Sequence, residues 1–338
     1  MTAAGELVWN RNVATEMFAF SEDQYGLTSS NRNPMKTKLI AFTAGLVLAG
    51  FVCTVNAQIS YDFNANSDFG WTHYAPAGLN QTFTFPVNPI SAGNLAYRLT
   101  ADAGTGANPG RVGSVYLNGP SIPDFTVRTD LINWNNSMSM NFGVMARVQT
   151  PIPGTTFPLG YALVYTDRFS AGAGGTDQLR LYKVVSGGLG FMNTTTLGAQ
   201  TNGNLGQFGL PGGSAPPDPS KDYQLIFTGQ GNLFTGQIID KSTGQALTFN
   251  DGFGGLTDRI MASDPGAAGF GAAGATLYTE GYYGYFGFVG SGTAPGGNGT
   301  DVTFDNFSVV PEPSALTLAG LGLAGLLAWN CRRLGRRL

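Results

Sequence analysis

From Ile59 to Val309, apolar and polar residues alternate in short segments that turn-forming residues interrupt. Successive side chains of a β-strand point to opposite faces, so a period of two indicates strands with one buried face. The chain has 50 glycines and 18 prolines, which is typical of a fold with many turns and short strands. The clearest segments are FTVRTDLI (125–132), MNFGVMARV (140–148), GYALVYT (160–166), QLRLYKVV (178–185), DYQLIFTG (222–229), NLFTGQIID (232–240) and DVTFDNFSVV (301–310).

Weaker alternation predicts further strands at ISYDF (59–63), QTFTF (81–85), LAYRLT (95–100), GSVYL (113–117) and YGYFGFVG (283–290). About a dozen strands, without an amphipathic helix of ordinary length, predict an all-β domain of two packed antiparallel sheets. DYQLIFTG and NLFTGQIID are separated by little beyond Gln230 and Gly231, so they are predicted to form a hairpin. The Gly- and Pro-rich segments 205–220 and 291–300 are predicted to be surface loops within one domain, residues 58–310.

A different pattern precedes this domain. MKTKLIAFTAGLVLAGFVCTVNAQ starts at Met35 with a positive segment, continues with the apolar run 39–52 and ends in small residues. This is the pattern of a cleavable secretory signal helix, predicted over residues 35–57 with cleavage between Ala57 and Gln58. A core helix and a membrane span are the alternatives, and the run is short for a span.

Residues 1–34 lie upstream of the positive segment and have the pattern of neither a signal nor a domain. We interpret them as the product of a start codon assigned too early, with Met35 as the true start. A disordered extension or an unusually long positive segment is the alternative.

The chain after the domain is first apolar and then basic. Residues 315–329 form an apolar run that is predicted to be a short helix. At 1.5 Å per residue this helix would be about 22 Å long, which is less than the ~30 Å hydrocarbon core of a membrane. It is therefore a poor permanent anchor. If it inserts, the positive-inside rule keeps four arginines cytoplasmic and the domain outside. They are Arg332, Arg333, Arg336 and Arg337.

This end of the chain resembles the sorting signal of PEP-CTERM proteins. The resemblance lies in the order of its three parts, which are Pro311-Glu312-Pro313, the apolar run and the arginine cluster. The resemblance covers residues 311–338. It implies Sec-dependent export across the inner membrane of a Gram-negative bacterium, recognition by an exosortase-type membrane protease and removal of the tail. It also implies a location in the cell envelope, on the cell surface or in the extracellular matrix of a host that makes exopolysaccharide. A plain C-terminal anchor is the alternative.

Residues 58–309 contain 16 acidic and 10 basic side chains, which gives this segment a net charge of −6. An acidic surface repels phosphate backbones, so we expect no nucleic-acid partner. Both cysteines, Cys53 and Cys331, lie outside the segment, so it has neither a disulfide nor thiolate chemistry.

Few residues in the domain could carry catalysis. The only histidine, His73, lies in GWTHYAP, which is predicted to be a loop, and no G-x-S-x-G motif accompanies it. Zinc sites need several His or Cys residues. Glycosidases use two carboxylates, and Glu280 is the only glutamate of the segment 58–309, so a glutamate pair is excluded and an aspartate pair stays possible. We therefore predict no catalytic residue.

The strand segments resemble those of a concanavalin-like or laminin-G-like jelly roll in their order and residue pattern. The segments that carry this resemblance are FTVRTDLINW, FGVMARV, GYALVYT, the predicted hairpin and DVTFDNFSV. The resemblance implies a jelly-roll β-sandwich that binds carbohydrate or matrix more often than it catalyses a reaction. Fold alone does not determine function.

Candidate ligand residues follow from side-chain chemistry. Aromatic rings can stack on sugars, and amides can bond their hydroxyls, which makes Trp134, Asn135, Tyr161 and Tyr165 candidate sugar contacts. Asp62, Asp301 and Asp305 lie near the two ends of the domain, which often pair in sandwiches, and are candidate ligands of a structural Ca²⁺. The alternative is that Asp305 and Asn306 cap a turn or bond the backbone.

These observations leave three functional hypotheses. The first is a non-enzymatic exported protein that binds exopolysaccharide in a biofilm or at the cell surface. The second is a glycan-active hydrolase or lyase on the same fold, and the third is a structural envelope protein without a ligand. The shortage of glutamate and histidine favours the first and third hypotheses.

Overall fold

The fold is described from a computed structural model of the protein. It covers residues 58–74, 80–102, 110–149, 159–167, 177–184, 202–205, 215–250, 255–264, 276–289 and 299–312, together with 325, 326 and 329. The signal peptide predicted over residues 35–57 and the segment 1–34 therefore lie outside the described residues.

The chain divides into two compact units. One unit is Asn56–Gly325, and the other combines Met1–Val55 with Leu326–Leu338. Of the second unit, only Leu326 and Trp329 are described, and both are exposed and helical. Within the described ranges, no helix has the length and apolarity needed to cross a membrane.

The described part of the first unit contains strands β1 to β18. In chain order they are Ile59–Tyr61, Trp71–Tyr74, Gln81–Thr84, Tyr97–Asp102, Val112–Tyr116, Phe125–Trp134, Met140–Val148, Gly160–Asp167, Asp177–Val184, Asn202–Leu205, Tyr223–Gln230, Leu233–Asp240, Gln245–Ala246, Phe249–Asn250, Leu256–Thr257, Ile260–Ser263, Tyr282–Val289 and Gly299–Pro311.

These strands form two nine-stranded sheets. Sheet A has the order β13-β12-β11-β6-β18-β4-β3, with β1 paired to β18 and β16 paired to β12. Sheet B has the order β15-β14-β10-β9-β8-β7-β17-β5-β2. All these pairings are antiparallel.

The core lies between the two sheets. The ring of Tyr285 on β17 stacks on that of Phe304 on β18 with centroids 4.4 Å apart. The Tyr285 hydroxyl lies 2.8 Å from the hydroxyl oxygen of Thr129 on β6. At Gly236 on β12 the sheets approach so closely that a Cβ atom would lie 2.2 Å from Cδ1 of Leu163 on β8. A side chain at this position would therefore displace the end of the Leu163 side chain from the opposite sheet.

This architecture confirms the predicted all-β sandwich of two antiparallel sheets. The predicted hairpin is β11 and β12, with Gln230 opposite Leu233 and Gly231 at φ 55°. The prediction of a loop around His73 is wrong, because Trp71–Tyr74 is strand β2 and pairs with β5. The sequence does not show this strand as an apolar–polar alternation, because the three residues after the buried Trp71 are all polar or aromatic.

The two ends of the sandwich lie side by side. Strand β1 pairs with the last part of β18, with Ile59 opposite Val309 and Tyr61 opposite Phe307. On its other side, β18 pairs with β6 as far as Pro311, which is opposite Phe125. The register of β18 shifts after Asp305, and Asn306 has a φ of 49°. This β-bulge allows Phe307 to enter the core while Asn306 stays on the outer face.

Candidate functional site

The predicted sugar-stacking rings belong to the core. Trp134, Tyr161 and Tyr165 are 3%, 1% and 0% exposed, respectively. The indole N–H of Trp134 donates to Oδ2 of Asp167 at 2.7 Å, and its ring packs edge-to-face on Tyr165. These rings cannot stack on a sugar, so this prediction is corrected. The strand positions they occupy face the opposite sheet, which the alternation alone did not reveal.

Asn135 is half-buried and directly follows β6. It lines a shallow cavity of about 360 Å³ together with Asn133, Arg98, Asp301 and Thr303. Its side-chain oxygen accepts hydrogen bonds from the backbone N–H and the hydroxyl of Ser137. Its carbonyl is therefore already used in a local turn.

The three predicted calcium ligands do not form one site. Arg98 donates two hydrogen bonds of 2.8 Å to the Asp301 carboxylate. Asp305 is buried and accepts hydrogen bonds from the side-chain amide of Asn88 at 2.8 Å and the backbone N–H of Asn306 at 2.7 Å. Among the described residues, no group of three His, Cys, Asp or Glu side chains could hold a metal ion. The prediction is corrected because protein donors already bind Asp301 and Asp305, as the backbone-bonding alternative expects for Asp305.

A polar cluster instead forms on the outer face of sheet A around Asp130, which we name the Asp130 cluster. Its centre, Asp130, is 2% exposed. Oδ2 of Asp130 accepts from Nζ of Lys241 at 2.6 Å and from Nδ2 of Asn306 at 2.8 Å. Oδ1 accepts from Nε2 of Gln224 at 3.2 Å. Lys241 also contacts Asp222 at 2.7 Å, so one ammonium group joins two carboxylates.

Burial and neighbouring charge alter the acidity of this cluster. Burial lowers the pKa of Lys241, but its hydrogen bonds to Asp130 and Asp222 outweigh burial, and the pKa lies above its ordinary value. Burial raises the pKa of Asp222. Burial also raises the pKa of Asp305, and the nearby carboxylates of Asp130 and Asp62 add to the effect.

An open cavity of about 600 Å³ lies on the same face, and we name it the β1–β18 pocket. Asn306 and Gln224, which bond Asp130, also line the pocket. Arg128 on β6 is exposed and lines the pocket, and within the described part of the chain its guanidinium has no hydrogen-bond partner. The other lining residues are Gln58, Ser60, Tyr61, Asp62, Phe63, Ala65, Phe307 and Ser308.

The first residues of the predicted sorting motif continue strand β18. Pro311 is the last residue of β18, and the backbone N–H of Glu312 donates to the carbonyl of Asp124 at 2.9 Å. The hydroxyl of Thr126 donates to Oε1 of Glu312 at 2.6 Å. Pro313 and the four predicted arginines, Arg332, Arg333, Arg336 and Arg337, lie outside the described residues. The carboxylate of the motif therefore lies on the same sheet as the Asp130 cluster.

The single histidine belongs to a separate network. Nε2 of His73 lies 2.5 Å from Oδ2 of Asp68 and 3.1 Å from the Tyr97 hydroxyl. The Tyr97 hydroxyl also contacts the Ser114 hydroxyl at 2.8 Å. Ser114 is 0% exposed, and tyrosine separates it from the histidine, so these residues do not form the serine–histidine contact of a hydrolytic triad.

The sequence did not identify Arg128, Gln224, Asn306 or Lys241 as site residues. Arg128, Asp130 and Gln224 are polar positions of alternating segments, which is a signal for an outer face. Their convergence depends on the pairing of Gln224 with Asp130 and of Ser308 with Arg128. No local sequence pattern determines the register between strands that are distant in the chain. The pocket therefore could not be predicted from the sequence.

Comparison with known proteins identifies one sequence match. Residues 309–333 match the PEP-CTERM protein-sorting motif. No curated protein matches the chain.

Several solved structures are similar in part. A carbohydrate-binding module, CBM66, from Bacillus subtilis is 16% identical, with 71% of this chain and 95% of that chain covered and a TM-score of 0.37. Lectin II from Ulex europaeus is 10% identical, with 76% and 99% covered and a TM-score of 0.39. The cellulose-induced protein Cip1 is 15% identical, with 75% and 97% covered and a TM-score of 0.40. The chain thus carries a PEP-CTERM sorting motif, which indicates a secreted or cell-envelope protein.

Proposed function

We propose that this protein is exported across the inner membrane of a Gram-negative bacterium, processed by an exosortase-type protease and retained at the cell surface or in the extracellular matrix. There its β-sandwich binds exopolysaccharide without chemical turnover. The observation that carries the binding proposal is the β1–β18 pocket, a polar cavity beside the sorting motif.

The route to the surface is inferred from both ends of the domain. The pattern over residues 35–57 favours Sec-dependent export with cleavage before Gln58, and strand β1 starts at Ile59, one residue after the predicted cut. Residues 309–333 match the sorting motif, whose processing is attributed to exosortase. Both segments flank the sandwich directly, so the two cleavages would release a domain with very short ends.

The chemistry of the pocket fits a polysaccharide. Its volume of about 600 Å³ accommodates a few sugar rings, and its openness to the surface allows a chain to pass through. Gln58, Ser60 and Ser308 offer hydrogen-bond donors and acceptors, while Arg128 offers an exposed guanidinium. The ring of Tyr61 adds an apolar surface. This mixture matches the hydroxyl groups and apolar faces of sugar rings.

The position of the carboxylates favours binding over hydrolysis. Asp130 and Asp305 face each other across β6 and β18 and are 2% and 1% exposed. Side-chain amides and Lys241 bind these carboxylates. A pair of glycosidase carboxylates must reach the scissile bond and a water molecule. This pair does not reach the surface, so the hydrolase or lyase hypothesis gains no support from it.

The test is electrophoresis of the purified protein through native gels that contain dextran, alginate or xylan, supported by a glycan array. We expect at least one polysaccharide to retard the protein. Arg128→Ala should weaken the retardation roughly tenfold or more, because a lost hydrogen bond to a charged group is worth at least one such factor. Arg259→Ala removes the same charge at an exposed position that does not line the pocket, and this variant should bind normally.

Other outcomes would contradict the proposal. Absence of retardation and of array binding would favour the structural envelope protein without a ligand. Release of soluble sugar from any of the polysaccharides would favour the hydrolase or lyase. Equal binding by the Arg128→Ala protein would place the binding surface outside the pocket.

A further inference from the structure

A lysine and an aspartate meet in the interior of the sandwich. Lys183 lies on β9 of sheet B, and Asp264 follows β16 of sheet A directly. Nζ of Lys183 lies 2.6 Å from Oδ2 of Asp264, and both side chains are 0% exposed. The contact therefore joins the two sheets at a place that bulk water does not reach.

Two tyrosine side chains lie beside this pair. The Tyr161 hydroxyl donates to Oδ2 of Asp264 at 2.5 Å. The ring centroids of Tyr161 and Tyr278 lie 5.9 Å and 5.3 Å from Nζ of Lys183. The Tyr278 hydroxyl donates to the carbonyl of Val184 instead of to the carboxylate.

Such surroundings favour chemistry between the two groups. Separated charges are costly where water is excluded, and transfer of one proton across the 2.6 Å contact converts the ion pair into a neutral amine and a carboxylic acid. A neutral amine is a nucleophile, and a carboxylic acid is an acceptor of nucleophiles. Because the fold holds the two groups in contact, their effective concentration is very high.

We propose that Lys183 and Asp264 condense into an intramolecular amide that cross-links the two sheets. Nζ of Lys183 attacks Cγ of Asp264, so a Cγ–Nζ bond forms and one Cγ–Oδ bond breaks. Starting from the ammonium and the carboxylate, the released oxygen leaves as water with two of the three ammonium hydrogens, and the third stays on the amide nitrogen. No oxidant or reductant takes part.

Tyr161 has a role in this reaction. Its hydroxyl already contacts Oδ2 of Asp264, one of the reacting oxygens. It donates a hydrogen bond to the negative charge that develops on this oxygen when Nζ attacks, and it can pass a proton to the departing oxygen. Burial and the nearby Asp264 carboxylate raise the pKa of Tyr161, so its hydroxyl keeps its proton at neutral pH.

The chain contains a second lysine–aspartate contact that serves as an internal control. Nζ of Lys241 also lies 2.6 Å from an oxygen of Asp130, but the Lys241 side chain is 35% exposed. Water reaches the Lys241 side chain, and the donors Asn306 and Gln224 bond the Asp130 carboxylate. This pair should remain an ion pair, which makes burial the property that distinguishes the two contacts.

The amide would give the sandwich domain a covalent cross-link that a disulfide cannot supply. The only cysteines, Cys53 and Cys331, lie outside the sandwich domain. An amide is also insensitive to thiols, whereas a disulfide is reduced by them. The proposal is independent of the polysaccharide hypothesis, because neither group lines the β1–β18 pocket.

The test is a peptide map of the purified full-length protein, with folding verified by circular dichroism before denaturation and trypsin digestion. We expect a branched peptide that joins the Lys183 and Asp264 segments, lighter than their sum by one water molecule and uncleaved after Lys183. Cleavage after Lys241 should be normal. A folded protein that yields only linear peptides, with cleavage after Lys183, would overturn the proposal.

Two tyrosine variants test the role of Tyr161. Tyr161→Phe keeps the ring and removes the hydroxyl, and it should slow cross-linking roughly 10²-fold during a time course after synthesis. Tyr278→Phe removes a hydroxyl of the same site that does not contact the carboxylate, and it should cross-link at the normal rate. Equal rates in both folded variants would contradict the assignment of Tyr161, while the wild-type map alone decides whether the amide exists.

Discussion

The hydroxyl of Thr126 on β6 lies 2.6 Å from a carboxylate oxygen of Glu312, the acidic residue of the sorting motif. The same residue of the motif donates its backbone N–H to the carbonyl of Asp124. The folded domain thus binds the start of the motif, and a protease that recognises Glu312 must compete with these two hydrogen bonds.

We predict that Thr126→Ala accelerates removal of the tail. The loss of one hydrogen bond to a charged group should increase the population of detached motif about tenfold, since such a bond contributes about 1.5 kcal/mol. The rate can be followed by pulse–chase labelling in a strain that contains the protease.

The matched control is Thr228→Ala. The Thr228 hydroxyl contacts that of Thr126 at 3.1 Å, and no hydrogen bond joins it to Glu312. This variant should be processed at close to the normal rate. If Thr126→Ala is also processed normally, the docking of Glu312 does not limit access by the protease.

A second prediction concerns Lys241. Lys241→Met removes the cation between Asp130 and Asp222, which leaves the buried Asp130 carboxylate without its ion-pair partner. We expect the free energy of unfolding to fall by about 2–4 kcal/mol, somewhat below the loss typical of fully buried pairs because Lys241 is partly exposed. Urea denaturation measures the change.

The double variant Asp130→Leu with Lys241→Met provides the control. It removes both charges, and we expect it to be more stable than Lys241→Met alone. Equal or lower stability of the double variant would show that the loss arises from packing of the lysine stem and not from an unpaired carboxylate.

The third prediction is a pH dependence at Asp222. Burial raises its folded-state pKa above the ordinary value of 3.8. A carboxyl with a raised pKa holds its proton more firmly in the folded state, so its full contribution to stability exists below pH 3.8 and declines as the pH rises through the folded-state pKa. Asp222→Asn cannot ionise and lacks this decline.

The measurement is urea denaturation of both proteins at a series of pH values. The stability of Asp222→Asn relative to the unmodified protein should increase as the pH rises above 3.8 and should then level off. A difference that stays constant over the series would contradict the raised pKa.

The fourth prediction concerns metal removal. Protein donors already bind Asp301 and Asp305, so we expect neither EDTA nor added Ca²⁺ to change the melting temperature. Differential scanning calorimetry measures this temperature. A Ca²⁺-dependent increase that Asp305→Ala abolishes would restore the calcium site that the sequence suggested.

The sequence predicted the elements of the sandwich better than its site. Alternation in DYQLIFTG and NLFTGQIID identifies a hairpin because both the strands and the turn are local. Trp134 is of a residue type that often contacts sugars, but the direction of its side chain depends on a register shift between β6 and β18 after Thr303.

Asp62 and Asp305 are close enough to interact electrostatically, as proposed from the pairing of the two ends, whereas Asp301 is bound by Arg98. Partners of this kind depend on pairing between distant segments.

Strand β18 ends at Pro311 and lies between β6 on one side and β1 and β4 on the other. A protein retained through this end would carry mechanical tension along the strand axis. Because β18 is hydrogen-bonded on both sides, such a pull would shear many bonds at once instead of opening them one after another. The same strand that presents the sorting motif is therefore placed to resist extraction of the domain by a moving polymer.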